Sequence, residues 1–190
     1  MEGLRMRLFI ASSFETSFIE ILEEITAYAY TNAGGSAVKW VERANFHLTY
    51  VFLGEVSESG AAAAIKSVDD ALKGRKSFTL VSGAFGAFPS LRNPQVLWLG
   101  FKEGAPELRE IAGKLARALS ERGLTFDNRF EPHVTLGRIK KELPANLCGR
   151  MADYALTKTA VSRLASVEVM ESSIICGCPV YKRVYSRQLL

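Results

Sequence analysis

Two histidines, the only ones in the chain, each precede a threonine by two residues, at His47 and Thr49 and again at His133 and Thr135. Each pair lies in a run of apolar and β-branched residues, which predicts a β-strand. Because alternate residues of a strand point to the same face, roughly 6–7 Å apart, each strand would present an imidazole beside a hydroxyl. Two such pairs facing each other would form a cleft suited to acid–base chemistry on an oxyanion such as a phosphodiester.

The alternation also predicts which residues of each motif point away from the imidazole. These are Leu48 and Tyr50 in the first strand, and Val134 and Leu136 in the second. A strand histidine is usually a packing residue, and threonine is common in strands because of its β propensity. That explanation weakens when the only two histidines of a chain share one motif, so we expect a functional role for both pairs.

Hydrophobic periodicity predicts the elements that position the motifs. The first motif strand is expected to end at Leu53, and the second to span 130–139. A third helix is expected to begin at Pro106 and to end by Gly123, and residues 140–158 have no assignable pattern. The remaining predicted strands are 4–11, 38–42, 77–85, 95–101, 161–171 and 181–189, the other helices are 14–29 and 61–72, a break falls at 34–36, and a loop spans 86–94.

This order of elements predicts an α+β fold. The two motifs are separated by close to half of the 190-residue chain, which suggests two lobes related by a pseudo-twofold axis. We therefore expect one domain over residues 1–190, with antiparallel sheets, helices on the outside and a central cleft.

Composition limits the classes of partner and compartment. The net charge of +4 and the pI of about 9.0 are compatible with RNA or a nucleotide phosphate, although many proteins without such partners are equally basic. Three cysteines argue against a disulfide scaffold and favour a reducing compartment. No apolar run reaches the length of a membrane span, and the N-terminal one is too short for a signal peptide. We expect a soluble, cytoplasmic protein.

A metal-dependent hydrolase is a competing interpretation. Its ligands would be His47, His133 and Cys178, but the sequence lacks the acidic or histidine clusters that such sites need. Cys176 and Cys178 form a C-x-C pair, which alone is too little for a metal site, and with Cys148 they are expected to be buried or idle thiols.

Longer stretches around the motifs carry a family resemblance. They are Phe-His-Leu-Thr-Tyr-Val-Phe-Leu-Gly-Glu-Val at 46–56 and Pro-His-Val-Thr-Leu-Gly-Arg at 132–138, supported by segments 7–11, 86–90, 96–100 and 170–172 with Tyr181. They resemble the paired H-x-T-x motifs of the 2H phosphoesterase superfamily, and most closely its RNA 2′,3′-cyclic phosphodiesterases, also called 2′–5′ RNA ligase-like proteins. One such motif is weak evidence, whereas two in matching context are strong.

The resemblance implies a reaction and a role for each motif residue. The substrate would be RNA or a nucleotide with a 2′,3′-cyclic phosphate end, opened by water to a 2′-phosphomonoester, with reverse 2′–5′ ligation as a further activity. His47 would be the proton donor and His133 the proton acceptor, while Thr49 and Thr135 would bind the phosphate. No metal or cofactor is implied. The alternative is a non-catalytic RNA- or nucleotide-binding module on the same fold.

One position departs from the family pattern. The residue before Pro132 is often basic in that family, but here it is Glu131. Strand parity would place Arg129 and Glu131 on the face of His133, so Arg129 could replace the missing charge. Glu131 could raise the pKa of His133 by favouring imidazolium, or it could be a solvated carboxylate at the rim. Parity also predicts that Arg138 points to the opposite face and has a structural role unless a bulge turns it.

Overall fold

Two antiparallel β-sheets and four α-helices make up the computed structural model, within the part of the chain that it describes, residues 5–33 and 37–190. The elements in chain order are β1 (Met6–Ser12), α1 (Thr16–Asn32), β2 (Val38–Trp40), β3 (Leu48–Val56), α2 (Glu58–Ala71), β4 (Phe78–Ser90), β5 (Asn93–Glu103), α3 (Ala105–Ser120), β6 (His133–Ile139), α4 (Leu147–Leu156), β7 (Val161–Leu164), β8 (Ser166–Ile175) and β9 (Cys178–Gln188).

The two sheets each carry one of the histidine motifs. The four-stranded sheet has the order β3-β1-β8-β9, with the first motif on its edge strand β3. The five-stranded sheet has the order β2-β6-β5-β4-β7, with the second motif on β6. Helices α2 and α3 pack together beside the first sheet, and α1 and α4 pack together beside the second. The predicted α+β fold, with two lobes and antiparallel sheets, is therefore confirmed.

Local sequence signals set the ends of the helices. Ser57 caps α2, since its hydroxyl accepts a hydrogen bond from the backbone N–H of Gly60 at 3.2 Å. Helix α3 follows Gly104, which has a φ of 84°, and carries Pro106 in its first turn. Within residues 5–33 and 37–190, no helix has the length and apolar content needed to cross a membrane.

The predicted loop at 86–94 is wrong, because most of it forms the two arms of the β4–β5 hairpin, which turns at Leu91 and Arg92. Gly86 lies opposite Trp98 in the hairpin, and a Cβ atom built on Gly86 would be only 2.2 Å from the indole Cζ2. The glycine therefore marks the close approach of a ring to the backbone and not a chain break. Pro89 lies opposite Pro94 near the end of the hairpin, where a missing N–H is tolerated.

Several other predicted boundaries differ from the structure. Strand β3 continues past Leu53 because Gly54 adopts a φ of 67° within it, and the second motif strand begins only at His133. The predicted strand 161–171 is divided at Ala165 into β7 and β8, and the unassigned segment 140–158 contains α4. The predicted break at 34–36 and residue 4 of the first predicted strand lie outside the described residues.

The contact between Gly86 and Trp98 predicts opposite effects for two glycine substitutions. Gly86→Ala should lower the free energy of unfolding by about 1–3 kcal/mol, because the added methyl group overlaps the indole. Gly113→Ala is the matched control: Gly113 is exposed in α3 with no atom within 4 Å of an added Cβ, so it should raise that free energy by about 0.5–1 kcal/mol. Denaturant unfolding measures both. Equal stability of the two variants would contradict the packing described for Gly86.

Candidate active site

A cleft of about 570 Å³ lies between the two sheets and is lined by residues of both. Both histidines and both threonines of the motifs line it, so the structure brings His47, Thr49, His133 and Thr135 to one cavity. Strands β3 and β6 belong to different sheets but approach each other across the cleft. The cleft can therefore enclose one small anion or nucleotide between two imidazoles.

His47 is held through one ring nitrogen by the backbone. Its Nδ1 lies 2.6 Å from the carbonyl oxygen of Asn45, at the end of a 3-10 helix (Arg43–Asn45) that leads into β3. A carbonyl oxygen can only accept, so Nδ1 carries the hydrogen of the neutral ring and donates it. This leaves Nε2 with a lone pair that can accept or return a proton. Asn45 is itself fixed, because its side-chain amide donates to the carbonyl of Pro179 at 3.3 Å.

His133 repeats the same arrangement in the second sheet. Its Nδ1 lies 2.6 Å from the carbonyl oxygen of Glu131, again two residues earlier in the chain. His133 is the first residue of β6, as His47 immediately precedes β3. The two imidazoles are thus related in local geometry as the pseudo-twofold arrangement of the motifs predicts.

Aromatic rings enclose both imidazoles. The ring of His47 lies 5.1 Å from that of Phe9 and 5.2 Å from that of Tyr181, measured between centroids. The ring of His133 lies 5.0 Å from that of Phe88 and 6.1 Å from that of Trp98. These contacts fix the ring planes and remove water from one side of each imidazole.

Burial lowers the pKa of both histidines. For His47 the loss of solvent outweighs the hydrogen bond that its ring donates to the carbonyl of Asn45, which raises the pKa, and the charge of His133 lowers the pKa further. For His133 burial again dominates; the carbonyl and carboxylate of Glu131 raise the pKa and the charge of Arg138 lowers it. Both rings are therefore neutral at pH 7 in the free protein. A bound anion would favour the protonated form of whichever imidazole it approaches.

The residues predicted to point away from the cleft pack in the core. Leu48, Val134 and Leu136 are fully buried. Tyr50 is also buried, although part of it borders the cleft; its ring stacks on Phe130 and its hydroxyl is 3.2 Å from that of Ser12. The alternation predicted for both motif strands is therefore present at these positions.

A β-bulge interrupts each motif strand just after the threonine. In β3, Thr49 pairs with Ala11 and Val51 with Ile10, which leaves Tyr50 as the extra residue. In β6, Thr135 pairs with Trp98 and Gly137 with Leu97, which leaves Leu136 as the extra residue. Beyond each extra residue the alternation of side chains is shifted by one, so the residues that follow point to the opposite face from the one that simple alternation predicts.

The bulges turn the fifth residue after each histidine toward the cleft. In the first sheet this residue is Phe52 and in the second it is Arg138, and both line the cleft. The prediction that Arg138 points to the opposite face is therefore wrong, and the bulge at Leu136 is the reason. Arg138 is exposed in the described structure and no carboxylate pairs with it there.

Glu131 and Arg129 both border the cleft, although neither is part of β6. Strand parity therefore does not apply to them. Arg109 of α3 binds the carboxylate of Glu131 at 2.7 Å, and Arg129 is paired with Asp127. Glu131 does raise the pKa of His133, as the hypothesis states. Burial lowers this pKa by more than Glu131 raises it, so the pKa of His133 is lowered overall.

Cys178 does not join the two histidines as the metal hypothesis requires. Cys178 is exposed at the start of β9 and is not among the residues that line the cleft. Across residues 5–33 and 37–190, no group of three or more His, Cys, Asp and Glu side chains lies close enough to hold a metal ion. All three cysteines are free; Cys176 and Cys178 are exposed, and Cys148 is partly buried, so only Cys148 approaches the predicted burial.

Among the residues that shape the cleft and that sequence reasoning missed are Lys39, Asn45, Phe52 and Trp98. For Phe52 a usable signal was present, since it follows His47 by the same five residues that separate Arg138 from His133. For Asn45 none was present, because its backbone carbonyl and not its side chain orients the imidazole.

A family model described as LigT like Phosphoesterase matches the chain twice, over residues 15–98 and 99–173. Each match contains one His-x-Thr motif. A protein of Aquifex aeolicus named RNA 2′,3′-cyclic phosphodiesterase is 30% identical over 178 residues, covering 93% of each chain. One of Aeropyrum pernix with the same name is 37% identical over 156 residues, covering 80% of this chain and 86% of the relative.

Solved structures share the fold across nearly the whole chain. The apo form of E. coli LigT superposes with a TM-score of 0.73 at 26% identity, covering 97% of this chain and 98% of LigT. LigT complexed with 3′-AMP gives a TM-score of 0.76 at 26% identity, covering 98% and 99%. With two facing His-x-Thr pairs in one cleft and a family model matching both halves, the chain belongs to the LigT-like phosphoesterase family of the 2H phosphoesterase superfamily and is a phosphoesterase.

Proposed function

We propose that this phosphoesterase hydrolyses the 2′,3′-cyclic phosphodiester at the end of an RNA to a 2′-phosphomonoester. The observation that carries the proposal is the pair of imidazoles in one cleft, each with Nδ1 bound to a backbone carbonyl and Nε2 left for proton transfer. The relatives from Aquifex aeolicus and Aeropyrum pernix that carry this activity as their name support it. The three free cysteines favour a cytoplasmic site of action.

The proposed reaction needs two proton transfers, and one histidine serves each. Neutral His133 accepts a proton from water through Nε2 as the water oxygen bonds to phosphorus. The bond from phosphorus to the ribose O3′ breaks in line with the entering oxygen, and protonated His47 gives its Nε2 proton to O3′. His47 ends neutral and His133 protonated, and exchange with solvent restores both.

The assignment of the donor and acceptor roles to the two histidines comes from the resemblance. In the free protein both rings are neutral and both are held by a carbonyl. The cyclic phosphate carries a negative charge, so it raises the pKa of the imidazole beside it. That imidazole is then protonated and can act as the proton donor. Binding of the anion is therefore coupled to uptake of one proton, and two acid–base groups are sufficient without a metal ion.

Thr49 and Thr135 are proposed to bind the non-bridging oxygens of the reacting phosphate. Both lie two residues after a catalytic imidazole and line the same cleft. Negative charge increases on these oxygens as the water attacks, so a hydroxyl donor placed there stabilises the transition state more than the ground state.

The same site could run a ligation. If the 5′-hydroxyl of a second RNA took the place of water, the same bond changes would give a 2′–5′ linkage, because phosphorus stays on O2′ while O3′ leaves. A non-catalytic nucleotide-binding module is the competing function. It is less well supported, since binding alone requires neither paired imidazoles nor free Nε2 atoms.

The test of the proposed function is the identity of the product. An RNA oligonucleotide ending in a 2′,3′-cyclic phosphate should yield only the 2′-phosphomonoester. A cleft with one proton acceptor and one proton donor fixes the side from which water attacks and the side on which the ribose oxygen leaves. Phosphorus NMR, or chromatography against 2′- and 3′-phosphate standards, identifies the isomer. Only 3′-phosphate would mean that the histidines have exchanged roles or that the ribose binds reversed. No product at all would favour the binding module.

Replacement of either histidine should remove most of the turnover. His47→Ala and His133→Ala should each lower the rate on the order of 10²–10⁴-fold, which is the usual contribution of general acid–base catalysis. Circular dichroism and affinity for the 2′-phosphate product serve as controls that the variants fold and still bind. Turnover close to that of the unaltered chain in either variant would rule out the two-histidine mechanism.

A further inference from the structure

The residue two places before each motif histidine is anchored through its side chain as well as through its backbone. In the first motif the amide of Asn45 donates a hydrogen bond to the carbonyl of Pro179 on β9 at 3.3 Å. In the second motif the guanidinium of Arg109 on α3 donates to the carboxylate of Glu131 at 2.7 Å. Each carbonyl that orients an imidazole therefore belongs to a residue tied to a second element of the fold.

The two anchored residues differ in charge. The distance from the histidine Nδ1 to the carbonyl oxygen is 2.6 Å in both motifs, so the backbone contact is the same. The side chain of Asn45 is neutral, whereas that of Glu131 is a carboxylate. His133 therefore has a negative charge at a position where His47 has a neutral amide.

The carboxylate of Glu131 favours the protonated form of His133. Burial is the largest influence and lowers the pKa of this imidazole, but the hydrogen bond to the Glu131 carbonyl and the Glu131 carboxylate both raise the pKa, while the charge of Arg138 lowers it. The pKa of His47 is set instead by burial, by the hydrogen bond to the carbonyl of Asn45 and by the charge of His133. Glu131 thus makes a proton on His133 less costly than burial alone would.

Other carboxylates of the cleft do not act on His133 in this way. Three of them line the cleft within residues 5–33 and 37–190, and only that of Glu131 affects the pKa of either motif histidine. Asp127 is paired with Arg129, and the rings that pack against His133 from β4 and β5, Phe88 and Trp98, are uncharged. The remaining imidazole and charged groups of the cleft lining are those of Arg7, Lys39, Glu42, His47 and Arg138.

Arg109 holds the Glu131 carboxylate at the rim of the cleft. Glu131 lines the cleft but Arg109 does not, so the guanidinium binds the carboxylate from outside. This contact neutralises a negative charge that would otherwise repel an anionic substrate. The side chains of Arg109 and Glu131 are 51% and 50% exposed, and exposed ion pairs contribute little to stability. Variants at either position should therefore fold.

We propose that Glu131, anchored by Arg109, is a positioning residue that prepares His133 to accept the proton of the attacking water. Its carbonyl orients the ring, and its carboxylate stabilises the imidazolium that forms when Nε2 takes the proton, while Nδ1 keeps its hydrogen bond to the carbonyl. The proposal rests on the proposed hydrolysis of cyclic phosphate ends. It gives the acceptor role of His133 a physical basis in the charge beside that ring.

Glu131→Gln tests the carboxylate, because it removes the charge and leaves the backbone carbonyl in place. In an NMR titration of the free protein the pKa of His133 should be lower than in the unaltered chain, and the pKa of His47 should change less. Glu42→Gln is the matched control, since it removes a different carboxylate from the lining of the same cleft. It should leave the pKa of His133 unchanged.

Turnover of adenosine 2′,3′-cyclic phosphate separates this role from a merely structural one. Glu131→Gln should lower kcat about threefold without raising KM, because a weaker base removes the proton of water more slowly. The rising limb of kcat against pH should move to lower pH, since it follows the pKa of the proton acceptor. A structural role alone would lower kcat and leave the limb where it was.

Arg109→Gln tests the anchor. It should raise KM for the same substrate about threefold, because the freed carboxylate repels the phosphate and an exposed charge is partly screened. The double variant Arg109→Gln/Glu131→Gln should return to the KM of Glu131→Gln, since no carboxylate then remains to be anchored. Arg117→Gln removes an equal charge from an exposed position of α3 that does not line the cleft, so it should leave KM unchanged.

Two results would overturn the positioning role. One is an unchanged pKa of His133 in Glu131→Gln, and the other is a rise in KM from Arg109→Gln that persists when Glu131 is also replaced. The titration needs no turnover, so it separates this inference from the proposed function. A lowered pKa of His133 without any hydrolysis would refute the proposed function and keep the effect of Glu131 on the ring. An unchanged pKa would refute the inference even if hydrolysis occurs.

Discussion

The hydrogen bond from each histidine Nδ1 to the carbonyl oxygen two residues earlier is the interaction on which the site depends. It is 2.6 Å long in both motifs, and it selects the neutral ring form in which Nε2 has a free lone pair. Because the acceptor belongs to the backbone, the 3-10 helix before β3 and the residues that precede β6 set the direction of the imidazoles. The fold, more than any side chain, prepares the chemistry.

Irregular backbone around the motifs gives the cleft its remaining features. The bulges at Tyr50 and Leu136 bring Phe52 and Arg138 to opposite walls, so two copies of one motif produce an aromatic wall and a cationic wall. Gly86 allows the indole of Trp98 to lie against β4 and beside His133. A pseudo-symmetric pair of strands can thus hold an asymmetric substrate, which a reaction with distinct entering and leaving oxygens requires.

The sequence was sufficient for the α+β fold and for the meeting of His47 with His133, since period-two alternation and a repeated motif are strong signals. Prediction from the sequence failed where one residue type is common in two different kinds of structure. Glycine and proline at 86–94 indicated a loop, but in the structure they mark a ring approaching a strand and the end of a hairpin. The predicted direction of the Arg138 side chain was wrong because the alternation of residues in the sequence does not reveal a bulge. A backbone acceptor such as the carbonyl of Asn45 cannot be predicted from the residue type, because every residue has one.

The most direct test of the central claim is long-range nitrogen–proton NMR of the imidazoles, which two histidines make simple to assign. In the free protein both neutral rings should be Nδ1–H tautomers, and both should titrate below the usual pKa of about 6.5, because burial outweighs the hydrogen bonds. Adenosine 2′-monophosphate should keep one ring protonated to higher pH, since the phosphate favours imidazolium. Nε2–H tautomers, or titrations that the nucleotide leaves unchanged, would contradict the account.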